Sequence, residues 1–256
     1  MAVIGIMDSG VGGLSVYREI FKLLPHEKYV YYSDNAYCPY GPKGAEFIQR
    51  RATEVAQILL DKGSDVIVVA CNTATAAAIE LLRSTFPVPF VGMEPAVKPA
   101  AAATRSGVVG VLATKGTLSA SKYHDTKETY GSGIKVVEHV GEGFVELVES
   151  GAGLDPHNKA AIETVRASVQ PLLEEGADTI VLGCTHYPFL IDFIREVAGP
   201  EVQIIDPAPA VARQTVHVLK EHGIPFSQAP ADGTPADIEL LASGPRDSLE
   251  RIFSRL

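Results

Sequence analysis

Cysteine, positive charge and long apolar runs are all scarce in this sequence. Only three of its 256 residues are cysteines, an odd and sparse count that argues against a disulfide framework and favours free thiols in a reducing cytoplasm. The net charge of −9 argues against binding to nucleic acid or to an anionic membrane surface, because both require basic patches. No apolar run approaches the roughly 18 residues of a membrane span. The first residues lack the basic start of a signal peptide, so we expect a buried strand there.

The rest of the composition is that of a folded protein with a substantial core. Hydrophobic residues make up 46% of the chain and charged residues 21%, which suits one large domain or two small ones.

Two similar stretches organise the chain. Residues 65–74 read DVIVVACNTA, and residues 178–187 read DTIVLGCTHY. Each is an apolar run that ends in a cysteine, Cys71 or Cys184, and each follows a similar lead-in, LLDKGSD or LLEEGAD. Continuous apolar runs of this kind are typical of strands buried on both faces of a parallel sheet.

Further landmarks recur at a similar distance along the chain. The apolar stretch around Gly110 resembles the one around Gly5, and the Asp-Pro pair at Asp206 mirrors the Glu-Pro pair at Glu94. These matches predict an internal duplication. The predicted fold class is α/β: two similar α/β domains with parallel-type sheets, related by pseudo-twofold symmetry, with the active site in the cleft between them.

The predicted domain boundaries follow from this duplication. Residues 98–207 form the second α/β domain. The tail has no counterpart in the other half, so it is predicted to return to the first domain, which then comprises residues 1–97 plus 208–256. Helices are predicted over 47–61, 73–83, 144–149, 156–175, 209–222 and 247–256, a strand over 237–243, and a Pro/Gly/Ala-rich loop over 224–235.

The first predicted strand ends in the turn DSGVGG, which begins with Asp8 and Ser9. A strand, a glycine-rich turn and a helix in this order are typical of a ligand-binding βα unit. The glycine spacing does not fit the dinucleotide fingerprint, so a nucleotide is disfavoured. An alternative is a tight turn in which Asp8 and Ser9 only cap the helix.

A cysteine between a strand and a helix start is placed to act as a thiolate, because unpaired backbone N–H groups and the helix dipole favour negative charge there. The polar residues that follow are Asn72 and Thr73 in the first stretch and Thr185 and His186 in the second. Such side chains can direct donors at a carboxylate. Two thiols on opposite walls of a cleft suit one reaction well: one removes a proton from a carbon stereocentre, and the other returns a proton to the opposite face.

Other assignments explain less of this pattern. The cysteines are alternatively small core hydrophobes, the commonest fate of a free cysteine. Zinc or a redox disulfide would require closely spaced cysteine pairs, which the chain lacks, so no metal is predicted. A hydrolase or lyase that uses Cys184 with His186 remains open, although it leaves Cys71 without a role. A non-catalytic amino-acid-binding protein is a third hypothesis.

Four motifs together resemble the aspartate/glutamate racemase superfamily and, within it, the glutamate racemases. They are DSGVGG at 8–13, PYG at 39–41, ACNTA at 70–74 and GCTHYP at 183–188. The resemblance implies a cofactor-independent enzyme that interconverts L- and D-glutamate and supplies D-glutamate for peptidoglycan synthesis. It also implies a homodimer in the cytoplasm. A racemase of another small amino acid such as aspartate is the alternative, although His186 resembles the glutamate enzymes.

The resemblance further implies roles for individual residues. Cys71 would handle the α-proton of the D-enantiomer and Cys184 that of the L-enantiomer, assisted by Asp8 and His186 respectively. The substrate would be held by Asp8, Ser9, Tyr40, Gly41, Asn72, Thr73, Thr114, Thr117, Glu149, Thr185 and His186. The family usually carries an arginine where this chain has Tyr37, and Cys38 beside it is expected to be structural or incidental.

Overall fold

The computed structural model describes residues 1–131, 133–227, 229 and 237–256. Strands and helices alternate along almost the whole described chain. In chain order they are β1 (Val3–Asp8), α1 (Leu14–Leu23), β2 (Lys28–Ser33), α2 (Ala45–Asp61), β3 (Val66–Val69), α3 (Asn72–Thr85), β4 (Phe90–Gly92), α4 (Val97–Ala103), β5 (Val108–Ala113), α5 (Lys115–Leu118), α6 (Ser121–Tyr130), β6 (Lys135–Val140), α7 (Phe144–Ser150), α8 (Lys159–Glu174), β7 (Thr179–Gly183), α9 (Ile191–Ala198), β8 (Gln203–Ile205), α10 (Ala208–Glu221), β9 (Asp237–Ala242) and α11 (Asp247–Phe253).

The chain forms two compact units. The first unit comprises Met1–Met93 and Ala208–Leu256, and the second comprises Glu94–Pro207. The first unit therefore breaks after Met93, directly beyond β4, and resumes at Ala208 with α10.

The first unit contains a five-stranded parallel sheet in the order β4-β3-β1-β2-β9. All four residues of β3 are buried, as expected for an apolar strand inside a parallel sheet. The tail supplies β9, which pairs with β2 at the edge of this sheet. The carboxyl ends of β1 and β3, where Asp8 and Cys71 lie, therefore meet at one edge of the sheet.

The helix α2 shows why the flanking segments fold onto this sheet. Its buried residues recur at helical spacing and form one apolar stripe. They are Ile48, Ala52, Val55, Ala56 and Leu59. They belong to the same buried cluster as the strand residues Ile67 and Val69.

The second unit contains a four-stranded parallel sheet in the order β6-β5-β7-β8. Read in reverse, as β8-β7-β5-β6, this order matches β4-β3-β1-β2 of the first unit, so that β7 corresponds to β3 and β5 to β1. The predicted duplication and the predicted parallel α/β class are thereby confirmed.

A paired glycine shows the duplication at atomic detail. A methyl group on Gly5 of β1 would lie 3.3 Å from Leu59, and one on Gly110 of β5 would lie 2.9 Å from Leu172. Leu59 and Leu172 are the first residues of the two matching lead-ins, so in each unit an equivalent leucine packs against an equivalent glycine. The lack of a side chain at both glycines allows this close packing of helix on strand.

The sequence prediction missed four helices, α4, α5, α6 and α9, which all lie in the second unit. Part of the predicted loop over 224–235 falls outside the described residues, at 228 and 230–235. None of the helices in the described part of the chain combines the length and the apolar character that a bilayer crossing requires.

Candidate active site

Cys71 lies between the end of β3 and the first turn of α3, where it is the N-cap residue. Its sulfur accepts a hydrogen bond from the backbone N–H of Ala74 at 3.4 Å, and the thiol donates to Ser9 Oγ at 3.7 Å. The side chain is buried. Donation from a helix N-terminus stabilises negative charge on this sulfur, as the sequence pattern predicted.

The turn after β1 brings Asp8 and Ser9 to the same sheet edge. Both side chains are buried. The carboxylate of Asp8 accepts a hydrogen bond from the backbone N–H of Gly10 at 2.7 Å, which holds it in place, while Ser9 contacts the thiol of Cys71. Asp8 and Ser9 therefore do not act as side-chain caps of α1, whose N-cap is Gly13 without a side-chain hydrogen bond.

Asn72 and Thr73 open α3, and both are buried. Within the described part of the chain, neither the side-chain oxygen nor the side-chain nitrogen of Asn72 has a hydrogen-bond partner. A buried polar group left unpaired costs about 1–3 kcal/mol. A donor and an acceptor on one amide, directly after a thiol, therefore suit a ligand that carries both kinds of group.

Tyr40 is buried in the same cluster as Cys71, and its hydroxyl donates to the carboxylate of Asp34. Burial, followed by this hydrogen bond, raises the pKa of Tyr40 above its usual value. The hydroxyl is therefore occupied within the protein, and Gly41, half-buried beside it, continues the same loop.

Asp34 and Arg51 form an ion pair beneath this loop that the sequence analysis did not identify. Arg51 Nη2 lies 2.7 Å from Asp34 Oδ1, and Nε lies 3.0 Å from Oδ2. The side chain of Asp34 is 1% exposed and that of Arg51 is 12% exposed. The hydrogen bond to Asp34, more than its charge, raises the pKa of Arg51.

Tyr37, which stands where the family usually has an arginine, contacts the same guanidinium. The Arg51 guanidinium carbon lies 4.3 Å from the centre of the Tyr37 ring, a cation–π arrangement. The guanidinium that contacts this loop therefore belongs to Arg51 of α2. Cys38 is half-buried and forms no disulfide with another described residue.

In the second unit, Cys184 follows the end of β7 and is buried. The helix does not begin directly after it. A 3₁₀ turn over Tyr187–Leu190 intervenes before α9. The placement at a helix start expected for both cysteines therefore holds for Cys71, whereas Cys184 is followed by the 3₁₀ turn.

His186 joins Cys184 to Glu149. Its Nδ1 lies 3.7 Å from Cys184 Sγ, and its Nε2 lies 2.8 Å from Glu149 Oε1. An ionised carboxylate can only accept, so Nε2 carries a proton, and in the neutral imidazole Nδ1 then faces the thiol as an acceptor. This chain of three groups can draw the proton from Cys184. His186 makes no side-chain cap of the 3₁₀ turn that follows it.

Tyr187 packs beneath this group. It is fully buried, its hydroxyl donates to the carbonyl oxygen of Gly141 at 3.4 Å, and its ring meets that of Phe144 edge to face. Burial, followed by the neighbouring Cys184, raises the pKa of Tyr187 well above its usual value. This tyrosine therefore stays neutral and acts as a wall of the site.

Three threonines complete the sheet edge of the second unit. Thr114 follows β5 and caps α5 by accepting from the backbone N–H of Thr117 at 3.3 Å. The two hydroxyl oxygens lie 3.1 Å apart. Thr185 is buried directly after Cys184. Because β5 and β7 are paired neighbours, these hydroxyls share one edge with Cys184.

Each unit thus presents a buried thiol with polar neighbours at the carboxyl edge of a parallel sheet. The sequence profile of the Asp/Glu/Hydantoin racemase family matches residues 4–215, which include both thiols. The chain belongs to this family, and it is an amino-acid racemase, an isomerase.

Relatives that match along almost the whole chain are glutamate racemases. A curated glutamate racemase from Methylococcus capsulatus is 51% identical over 254 residues, which cover 99% of this chain and 91% of that protein. The crystal structure of Escherichia coli glutamate racemase, in complex with L-glutamate and the activator UDP-MurNAc-Ala, matches with a TM-score of 0.85 at 32% identity, over 99% of this chain and 94% of that one. A glutamate racemase isoform from Bacillus anthracis matches with a TM-score of 0.84 at 34% identity, over 99% and 93%.

Proposed function

We propose that this protein interconverts L- and D-glutamate without a cofactor and that Cys71 and Cys184 are its two bases. The observation that carries the proposal is the repeated placement of a buried thiol after corresponding strands, β3 and β7, each with its own polar neighbours. The identity to curated glutamate racemases and the likeness to an enzyme crystallised with L-glutamate support glutamate as the substrate.

The reaction is a balanced proton exchange. A thiolate on one side removes the α-proton and becomes a thiol, which leaves the electron pair of the broken C–H bond on the α-carbon and its carboxylate. The thiol on the other side donates a proton to the opposite face and becomes a thiolate. The α-carbon is inverted, and the two sulfurs have exchanged protonation states. We assign Cys71 to the D-enantiomer and Cys184 to the L-enantiomer.

Each thiol has its own helper in this proposal. His186, held by Glu149, accepts the proton that Cys184 must lose, and this assistance agrees with the 3.7 Å and 2.8 Å separations. Asp8 assists Cys71 from the adjacent turn, where it is fixed by Gly10. The two sides therefore differ in chemistry, which suits a site that meets two mirror-image substrates.

The substrate would be held by short polar groups. The unpaired amide of Asn72 can donate to a substrate carboxylate and accept from the α-amino group. Since the Tyr40 hydroxyl is bonded to Asp34, we assign contacts at Tyr40 and Gly41 to the backbone. The other proposed ligands are Ser9, Thr73, Thr114, Thr117, Glu149 and Thr185.

The cellular setting is part of the same proposal. Proton transfer requires reduced thiols, and the cysteines in the described part of the chain form no disulfide, which suits action in the cytoplasm. We propose that the D-glutamate formed is used in peptidoglycan synthesis and that the enzyme works as a homodimer.

Single cysteine substitutions test the proposal. Cys71→Ser and Cys184→Ser are each expected to lower kcat/KM for glutamate by about 10³-fold or more, because serine is a far weaker base at neutral pH. Cys38→Ser is the matched control and should retain normal turnover. Circular dichroism of L-glutamate and of D-glutamate measures both directions. Normal turnover in either of the first two variants would rule out the two-base mechanism.

Solvent deuterium distinguishes the remaining alternatives. With two bases, deuterium enters the product enantiomer before it enters the remaining substrate, because removal and return use different sulfurs. The Cys184–His186–Glu149 arrangement also resembles the nucleophile, base and orienting group of a cysteine hydrolase. That activity, or a lyase activity, would form new compounds instead of deuterated glutamate. Running L-aspartate in parallel tests the substrate assignment.

A further inference from the structure

Tyr31 lies beneath the turn that carries Asp8 and Ser9. It is the fourth residue of β2, pairs with Ile6 of β1, and is 0% exposed. Its hydroxyl donates to the carbonyl oxygen of Gly10 at 2.9 Å. A hydroxyl that is buried and bonded to a turn carbonyl restrains the orientation of that peptide group.

The space around this hydroxyl is tightly filled. A methyl group on Gly13 would lie 2.9 Å from the Tyr31 hydroxyl oxygen, 2.7 Å from Asp8 Cβ and 3.1 Å from Ala70 Cβ. The hydroxyl therefore shares its packing environment with Asp8 and with the residue that immediately precedes Cys71. Because the packing is tight, a shift of the Tyr31 side chain would displace both Asp8 and Ala70, the residue bonded to Cys71.

Two hydrogen bonds in the turn carry this restraint further: one fixes Asp8, and the other joins Ser9 to the thiol. The N–H of Gly10 fixes the Asp8 carboxylate at 2.7 Å, and the hydroxyl of Ser9 accepts from Cys71 at 3.7 Å. The carbonyl that Tyr31 holds belongs to the same Gly10 residue. Movement of this residue would change the distance from Asp8 and Ser9 to the reacting sulfur.

We propose that Tyr31 is a positioning residue, whose hydroxyl holds Gly10 so that Asp8 and Ser9 stay in register with Cys71. This assignment rests on the proposed racemase function. Tyr31 is not itself placed to touch substrate. It acts on the Cys71 half-reaction through the turn.

The chain offers a matched control two residues earlier on the same strand. Tyr29 is 1% exposed, and its hydroxyl also donates to a backbone carbonyl, that of Leu24 at 2.5 Å. Leu24 follows α1 near the amino end of β2, away from the strand end that carries Asp8. Tyr31→Phe and Tyr29→Phe therefore each remove one buried hydroxyl of the same kind.

The experiment compares the two variants with the wild type. Tyr31→Phe is expected to lower kcat/KM by about tenfold or more, while Tyr29→Phe stays within about twofold. The fall must be equal for L- and D-glutamate, because the equilibrium constant between enantiomers is 1. Thermal melts should show comparable losses of stability in the two variants, which separates positioning from folding.

A kinetic isotope effect locates the step. Because the Cys71 transfer becomes more rate-limiting, the primary effect on kcat/KM should increase with α-deuterated D-glutamate and decrease with α-deuterated L-glutamate in Tyr31→Phe. Equal kcat/KM values in the two variants, or isotope effects like those of the wild type, would overturn the assignment of Tyr31 and leave the racemase proposal intact. A wild type that leaves glutamate unchanged and undeuterated would overturn both.

Discussion

Replacing Arg51 with methionine is expected to destabilise the first unit strongly, because it leaves a buried carboxylate without its counter-charge. Asp34 is 1% exposed and receives two hydrogen bonds from Arg51, at 2.7 and 3.0 Å. Removal of one partner of a buried pair costs about 3–5 kcal/mol, whereas an exposed pair contributes about 0–1 kcal/mol. Methionine keeps much of the apolar volume, so the loss reflects charge and hydrogen bonding.

Urea unfolding followed by circular dichroism measures this loss as a change in midpoint at constant slope. Arg50→Met is the control, since Arg50 is the exposed neighbour on the same helix, above the Phe47 ring, and should cost less than about 1 kcal/mol.

A double-mutant cycle separates the ion pair from the contact of Arg51 with Tyr37. In Asp34→Asn the charge is removed while the Tyr40 hydroxyl keeps an acceptor. The double variant Asp34→Asn/Arg51→Met should be less destabilised than the sum of its single variants, by about 1–3 kcal/mol. An Arg51→Met variant as stable as Arg50→Met, or strict additivity in the cycle, would refute the reasoning.

Three further changes have defined outcomes. Gly13→Ala should lower the free energy of unfolding by about 1–3 kcal/mol through overpacking, and it should lower activity, because the added methyl group would press on Asp8. The control Gly44→Ala, whose methyl group meets open space, should remain active. Equal activity of the two variants would contradict this prediction. Glu149→Gln should lower kcat/KM by about 10²-fold in both directions, since an amide no longer enforces the Nε2–H form of His186, whereas the exposed Glu146 tolerates the same change. Partial burial raises the pKa of Asp178, but hydrogen bonds from Thr104 and from the N–H groups of residues 105–106 outweigh burial and lower the pKa overall. The stability that ionised Asp178 contributes is therefore present above about pH 4 and lost below. Asp178→Asn should flatten the acid limb of a profile of melting temperature against pH.

The two thiols and their duplicated setting could be predicted from the sequence because their signals are local. The sequence of a buried parallel strand is an unbroken apolar run, and the residue at its carboxyl end lies at the ligand-binding edge of the sheet. Cys71 and Cys184 are therefore marked by what immediately precedes them. The order of the two sheets confirmed the duplication on the same ground.

Three of the four missed helices, α4, α5 and α6, carry weak local signals. The helix α6 buries only Tyr123, so it shows little apolar periodicity, and α5 has only four residues. The helix α4 contains Pro99 near its start and is otherwise mostly alanine, a composition without a polar face. Tertiary packing, rather than a sequence pattern, stabilises such segments.

The partners of the thiols are set by the tertiary structure. Arg51 reaches Asp34 across 17 positions of the chain, and His186 reaches Glu149 across 37, with no spacing rule to join them. Likewise, Tyr29 and Tyr31 look alike in the sequence, and only the fold brings one hydroxyl to Leu24 and the other to Gly10. The sequence by itself determined which residues end the strands, because strand periodicity is local. The packing of distant segments decided which side chains hold those residues in place.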